Sequence, residues 1–346
     1  MTTLKPPWLF LEDERHADDV AAAPTAHGVW LAWSRAVLAR ESVHLTHVAK
    51  GPAGVAELGP RTEPFAPRQA FRPVLSASSA TDVHALGAIV EDAGRLAPAL
   101  CTREGFDTRF GEPLVFALDG EADATSLALS VAPDGGAVWV AYERVDARGS
   151  WVELASMMLG GPLVPIALPP APAGVWRRAP AIASDPDGAW LTWVEGDGPF
   201  GGVHACRISP DGPQTIFPVS ASPSHQEAPT VAVFDDRHTA LIAWHETLES
   251  GRRWLRCARM APSGEVASVV LPEPPEIERA GAPTDQSWEF PRLLLLPGGA
   301  EDPAVLLAGR SAHNVHVAIG SARSGLELRT PQCPMGWGGI GRISAL

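Results

Sequence analysis

The sequence predicts an all-β chain that closes into one six-bladed β-propeller with four antiparallel strands per blade. Three observations predict it. The phrase Trp30-Leu-Ala-Trp33 returns as Trp139-Val-Ala-Tyr142, Trp190-Leu-Thr-Trp193 and Leu241-Ile-Ala-Trp244, with weaker copies at Leu86-Gly-Ala-Ile89 and Val305-Leu-Leu-Ala308. The last residues of these phrases stand at 33, 89, 142, 193, 244 and 308, a spacing that suits propeller blades. Pro (34) and Gly (33) are abundant while apolar content is an ordinary 45 %, as expected for many short strands joined by tight turns.

Each unit repeats an internal order. A first strand opens with proline about ten residues before the phrase, as in Arg72-Pro73-Val74, Ala179-Pro180, Ala228-Pro229 and Phe290-Pro291. Proline at the first residue of a strand removes no ladder hydrogen bond. Asp134-Gly135-Gly136 and Asp187-Gly188 are hairpin signals. The phrase itself, apolar on both sides, suits a strand packed on both faces. A third strand follows at Val43-His-Leu-Thr46, Trp151 to Ala155, Val203 to Cys206, Trp254 to Cys257 and Val315 to Ala318. A fourth, such as Gln214 to Phe217 or Val266 to Val270, completes the blade. One domain over 1–346 results, with blades near 12–60, 66–112, 120–168, 176–219, 226–271 and 288–330. Trp8-Leu-Phe-Leu11 and residues 331–346 are candidates for closing the ring.

The net charge of −13 argues against a nucleic-acid partner, because an acidic surface repels phosphate. The N-terminus lacks a signal-peptide apolar core, and no apolar run is long enough to span a bilayer. The expectation is a cytoplasmic monomer without a membrane partner. Cys101, Cys206, Cys257 and Cys333 have no metal-ligand spacing, and the first three share one small-residue slot of the third strand. His44, His204 and His316 recur in a Val-His phrase at strand spacing. No metal site and no cofactor are expected.

Phrases such as Ala179-Pro-Ala-Ile-Ala-Ser-Asp-Pro-Asp-Gly-Ala-Trp-Leu-Thr-Trp193 resemble the blades of the sialidase-like (BNR-type) six-bladed propellers. The resemblance implies the fold, without the family's catalytic motif. That family's Asp-box places its aspartate in the hairpin after the third strand, whereas Ser184-Asp-Pro-Asp-Gly188 lies between the first two. The sole tyrosine, Tyr142, stands where other blades have core tryptophan.

In a propeller, the blade-to-blade linkers and the turns between second and third strands gather on one face around the central channel, where ligands commonly bind. Two residues past each core position lie Arg35, Glu91, Arg144, Glu195, Glu246 and Arg310. The linkers add Phe71, Arg72, Asp123, Trp176, Arg178, His225, Glu227, Trp288 and Glu289. Aromatic faces suit sugar rings or organic cations, arginines clamp carboxylates, and crowded carboxylates raise one another's pKa toward that of a general acid. His225 with Glu227, His245 with Glu246, and Glu289 are the candidate acid–base groups. The expected function is binding of a small polar molecule or sugar at this mouth, with acid–base chemistry of a hydrolase, lyase or isomerase as its extension. Two alternatives stand beside it. A lectin-like propeller would carry several shallow sites between blades, and a protein-interaction scaffold would expose a broad apolar patch.

Overall fold

A computed structural model describes most of residues 17–329; residues 1–16, 272–288, 330–346 and several shorter stretches lie outside the described residues. Among the described residues twenty-four strands form six four-stranded antiparallel sheets, and each sheet takes its strands in chain order from inside to outside. Blade 1 comprises β1 (Ala17–Thr25), β2 (Gly28–Val37), β3 (Arg40–Lys50) and β4 (Ala56–Leu58). Blade 2 comprises β5 (Ala70–Ala77), β6 (Val83–Asp92), β7 (Arg95–Glu104) and β8 (Leu114–Val115). Blade 3 comprises β9 (Asp123–Val131), β10 (Ala137–Asp146), β11 (Gly149–Met158) and β12 (Leu163–Ile166). Blade 4 comprises β13 (Trp176–Asp185), β14 (Gly188–Gly196), β15 (Gly202–Ser209) and β16 (Gly212–Pro218). Blade 5 comprises β17 (His225–Phe234), β18 (Thr239–Thr247), β19 (Arg253–Met260) and β20 (Val266–Ser268). Blade 6 comprises β21 (Glu289–Leu296), β22 (Ala304–Arg310), β23 (Val315–Ser321) and β24 (Gly325–Arg329). The predicted closing segments, Trp8–Leu11 and 331–346, fall outside the described residues.

Ring closure is visible at the axis. A cavity of about 260 Å³ is walled by the first strand of every blade, including Ala21, Val74, Leu129, Ile182, Val231 and Leu293. Buried apolar clusters seal the seams between successive blades, from blades 1 and 2 through blades 5 and 6. The repeated phrase explains how. Its first and fourth residues point to opposite faces of a strand, so each seals a different seam. Trp193 packs toward blade 3 and Trp190 toward blade 5. Both are fully buried.

This rule corrects the sequence register in two blades. In blade 2 the residue facing the preceding blade is Ala88, in the cluster with blade 1, whereas Ile89 packs toward blade 3. In blade 6 the strand pairing places Gly309, and not Ala308, at that position. The equivalent positions are therefore 33, 88, 142, 193, 244 and 309. Sequence alone misaligned these two because neither carries an aromatic there.

The prolines also sit differently from expectation. Pro73, Pro180, Pro229 and Pro291 lie inside the first strands, where the pairing register slips. Blade 1 slips at the corresponding place, beside Asp19, and blade 3 one residue nearer the strand start, beside Thr125, so all six innermost strands carry a β-bulge. Proline fits there because a bulge leaves a residue outside the ladder. Asp19, Arg72, Ala179, Ala228 and Phe290 hold φ between 36° and 54°. That conformation costs about 1–3 kcal/mol per non-glycine residue, and the four residues preceding proline would otherwise be extended. The bulges bend the strands and aim the residues just before them at the mouth.

Burial accounts for the cysteines. Cys101, Cys206 and Cys257 are free thiols inside blades. Loss of solvent pushes Cys101 and Cys257 up to about 12 and Cys206 to about 11, so these thiols stay protonated at neutral pH. Tyr142, packed in the seam between blades 2 and 3, is likewise raised to about 12 by burial.

Candidate functional site

The mouth is built from the residues that precede the bulges and from the ends of the second strands. On blade 5 the strand pairing sets Glu227 directly opposite His245, on the face toward blade 6. His245 Nε2 lies 3.0 Å from Glu227 Oε2, and His225 Nε2 lies 2.8 Å from Glu227 Oε1. The backbone N–H of Phe290, the bulge residue of blade 6, donates to His245 Nδ1 at 3.3 Å. A backbone N–H can only donate, so Nδ1 is the unprotonated nitrogen and His245 donates from Nε2 to the carboxylate. The Phe290 ring stands edge-on to the imidazole, with centroids 5.3 Å apart. His245 is fully buried, Glu227 is 37 % exposed and His225 20 % exposed.

Two imidazoles on one carboxylate favour its ionised form. The hydrogen bond from His245, aided by His225, holds Glu227 at about 2, well below its ordinary 4.5. The expectation that crowded carboxylates would raise one another is therefore not met at Glu227, whose neighbours are histidines. A lowered pKa contributes stability that is present above the ordinary pKa and is lost as pH falls through the native one. Glu227→Gln should accordingly differ most from the parent protein above pH 4.5, and the difference should shrink toward pH 2. Urea denaturation at stepped pH measures it; a gap independent of pH would mean that the carboxylate is not held by the two rings.

The structure does not form the pair His245 with Glu246. They are consecutive residues of β18 and point to opposite faces. Glu246 turns toward blade 4, where it accepts hydrogen bonds from Ser224 and Arg256. Most of the other charged candidates are tied to neighbouring backbone or linkers. Glu91 accepts from Gln69 Nε2 at 2.7 Å, and Asp123 accepts the Leu96 N–H at 2.9 Å. Arg144 donates to Asp119 O at 2.8 Å, and Arg72 donates to the carbonyl of Thr125. Glu195 binds Arg177 at 2.6 Å and the Trp193 indole N–H at 3.0 Å.

Arg35 is half-buried at the end of β2, and Arg178 is half-buried opposite Val194. Phe71 packs into the seam between blades 2 and 3. Trp176 is exposed, its indole so close to Gly149 that a Cβ there would meet Nε1 at 2.7 Å. Glu289 and Arg310 pair across β21 and β22 at the positions equivalent to Glu227 and His245. Their side chains, and all of Trp288, lie outside the described residues.

Sequence reasoning missed Phe290, Gln226 and Arg292. Gln226 is fully buried, and its side chain accepts the Val203 N–H of blade 4 at 2.7 Å. Arg292 is the one charged residue walling the axial cavity among the described residues. The signal was present: the residue after the bulge proline is Val74, Ala181 or Thr230 elsewhere, and arginine breaks that series. Among the described residues no group of three or more His, Cys, Asp and Glu side chains could hold a metal ion, and no helix is long and apolar enough to cross a membrane.

Six four-stranded sheets whose first strands wall one axial cavity define a six-bladed β-propeller. Two solved structures with TM-scores above 0.5 agree with that class. The chain is similar to AofleA from Arthrobotrys oligospora, at 10 % identity and a TM-score of 0.53, covering 96 % of this chain and 91 % of that one. It is also similar to the Hadza microbial sialidase Hz136, at 11 % identity and a TM-score of 0.51, covering 90 % of this chain but only 64 % of the sialidase. A thermostable family-43 glycoside hydrolase matches at 14 % identity and a TM-score of 0.42, over 73 % of this chain and 92 % of that one. No family model and no curated protein matches. At these identities the likeness concerns the fold.

Proposed function

We propose that the mouth binds a small polar ligand at its blade 5 side, with Glu227 and His225 as the groups that hold it. One observation carries this reading: a partly exposed carboxylate, kept ionised by two imidazoles, stands on β17 two residues before the stretch that walls the axial cavity. Such a group is a strong acceptor for ligand hydroxyl or ammonium hydrogens. Arg292 in the channel wall offers the opposite charge.

A second reading, acid–base chemistry, rests on the two histidines being in different states. His245 uses both ring nitrogens and acts as a positioning residue. His225 uses Nε2 on Glu227, while its Nδ1 has no hydrogen-bond partner among the described residues. A carboxylate that orients one nitrogen of an imidazole leaves the other as a general base; at His225 that nitrogen is buried, so the chemistry requires the ligand to displace what covers it. Glu227, held near 2, serves as orienter or acceptor, and any general acid is another group.

A sugar is the first class to test, since one propeller of similar fold is a sialidase. Methyl glycosides of neutral sugars, N-acetylneuraminic acid and small carboxylic acids would be screened by saturation-transfer NMR. At least one probe should bind and should lose about tenfold to hundredfold in affinity in Glu227→Ala, the size expected for a charge-assisted hydrogen bond. His225→Ala should act in the same direction. If every probe that binds does so equally well to both variants, the mouth is not the site.

A further inference from the structure

At the seam between blades 1 and 2, on the face opposite the mouth, three basic side chains are buried together: His47 of β3, His84 of β6 and Arg103 of β7. His84 joins the two blades. Its Nε2 lies 3.3 Å from the Pro24 carbonyl of β1, and Arg103 Nη1 lies 3.3 Å from its Nδ1. A guanidinium can only donate, so Nδ1 is an acceptor and the ring is neutral, with its proton on Nε2 toward blade 1. Trp30 packs into this seam from blade 1. The Arg103 guanidinium lies 5.0 Å from its ring centroid, and the His47 ring is also at 5.0 Å. His47 Nε2 shares a hydrogen bond of 3.2 Å with the Thr25 hydroxyl. Among the described residues, two further titratable groups face these rings. They are Asp82 of the turn before β6, 3.7 Å from His84 Nδ1, and His27 of the turn between β1 and β2.

The same place in blade 4 is built from permanent charges. Strand pairing makes Asp185 the counterpart of Thr25, and Arg207 the counterpart of His47. Aspartate and arginine keep their charges through the mildly acidic range. His238, at the seam with blade 5, lies 3.2 Å from Asp185 and 3.3 Å from Asp187, so a proton there is met by carboxylates. Between blades 1 and 2 the surroundings are the reverse. A proton on His84 Nδ1 would turn an N–H against the Arg103 guanidinium. One on His47 would add another buried positive charge beside them, and like charges out of water repel strongly. Asp82 is the one carboxylate among the described residues placed to offset them.

We propose that the seam between blades 1 and 2 is an acid-sensitive latch, closed while His84 and His47 are neutral and loosened when they take up protons. Burial is the main cause that lowers both histidines below their ordinary 6.5. At His47 the charge of Arg103 adds to it, and at His84 the charge of Asp82 opposes it. A histidine with a lowered native pKa contributes stability that is present above 6.5. That stability is lost as pH falls from 6.5 through the native value, because the unfolded chain takes the proton first. Both blades wall the axial cavity, through Ala21 and Val74, so a looser seam reaches the channel. The latch is separate from the mouth and does not depend on the ligand proposed for it.

The test uses the full chain. Histidine ring signals followed by NMR from about pH 8 to about pH 4 give the native pKa values, assigned through His47→Gln and His84→Gln singly. Both should lie below 6.5. Amide hydrogen exchange, corrected for the intrinsic rate at each pH, should quicken in β1, β2, β6 and β7 between about pH 7 and about pH 5. The expected gain is about tenfold for each unit by which a native pKa lies below the ordinary one. Exchange in β13, β14 and β15 of blade 4 should keep its rate. The double variant, whose neutral amides retain a donor and an acceptor, should lose the acid response. Exchange on the parent protein needs no variant, so the outcome is readable even if the double variant fails to fold. Either ring titrating at or above its ordinary value, quickening as large in blade 4 as in blades 1 and 2, or a double variant as acid-sensitive as the parent would each overturn the proposal.

Discussion

Replacing Trp193 with alanine is expected to destabilise the protein by about 3–5 kcal/mol, the usual range for removing a fully buried tryptophan. Trp193 is completely buried in the cluster that joins Ala141, Val152 and Leu154 of blade 3 to Leu191, Cys206 and Ile208 of its own blade. Truncation removes most of its side chain and leaves a cavity between two rigid sheets, which relax little. It also frees Glu195 from an indole N–H and strips the Arg177 guanidinium of the ring beneath it. Trp193→Phe should fall between the two, since it keeps much of the apolar contact and loses the hydrogen bond. Urea and thermal denaturation would measure both. A loss below about 1 kcal/mol for the alanine variant would mean that this seam is not packed as described.

Arg207→Met should be comparably damaging, for an electrostatic reason. On the face opposite the mouth, Arg207 Nη2 lies 2.8 Å from Asp185 Oδ1, and both side chains are 5 % exposed. Removing one partner of a buried pair leaves the other charge desolvated, at about 3–5 kcal/mol. His238 of blade 5 sits 3.2 Å from the second oxygen of Asp185. The double variant Asp185→Leu with Arg207→Met should be less destabilised than the sum of the single variants, because no charge is then left buried alone. Strict additivity in that cycle would show that the two residues do not interact.

The blade count and the order of strands within each blade were legible in the chain. The seam aromatics recur because every blade must bury both faces against a neighbour, and a requirement imposed six times leaves a periodic mark. Where the mark is faint, the reading slipped by one residue, at Ala88 and Gly309. The prolines of the first strands were visible, but their place inside bulges was not. A bulge is defined by what the partner strand pairs with, and that partner is read only in three dimensions.

The site divides in the same way. Sequence reasoning placed His225 and Glu227 in a linker, whereas they stand two apart at the start of β17 and share a face. That His245 joins them, while Glu246 turns to the other seam, depended on which strand lies opposite and where the bulge shifts its register. Local residue pattern thus determined the repeat, the strand order and the level of the mouth, because each blade solves the same burial problem. Tertiary structure alone decided which polar groups meet, because those contacts join residues whose separation along the chain carries no periodic signal.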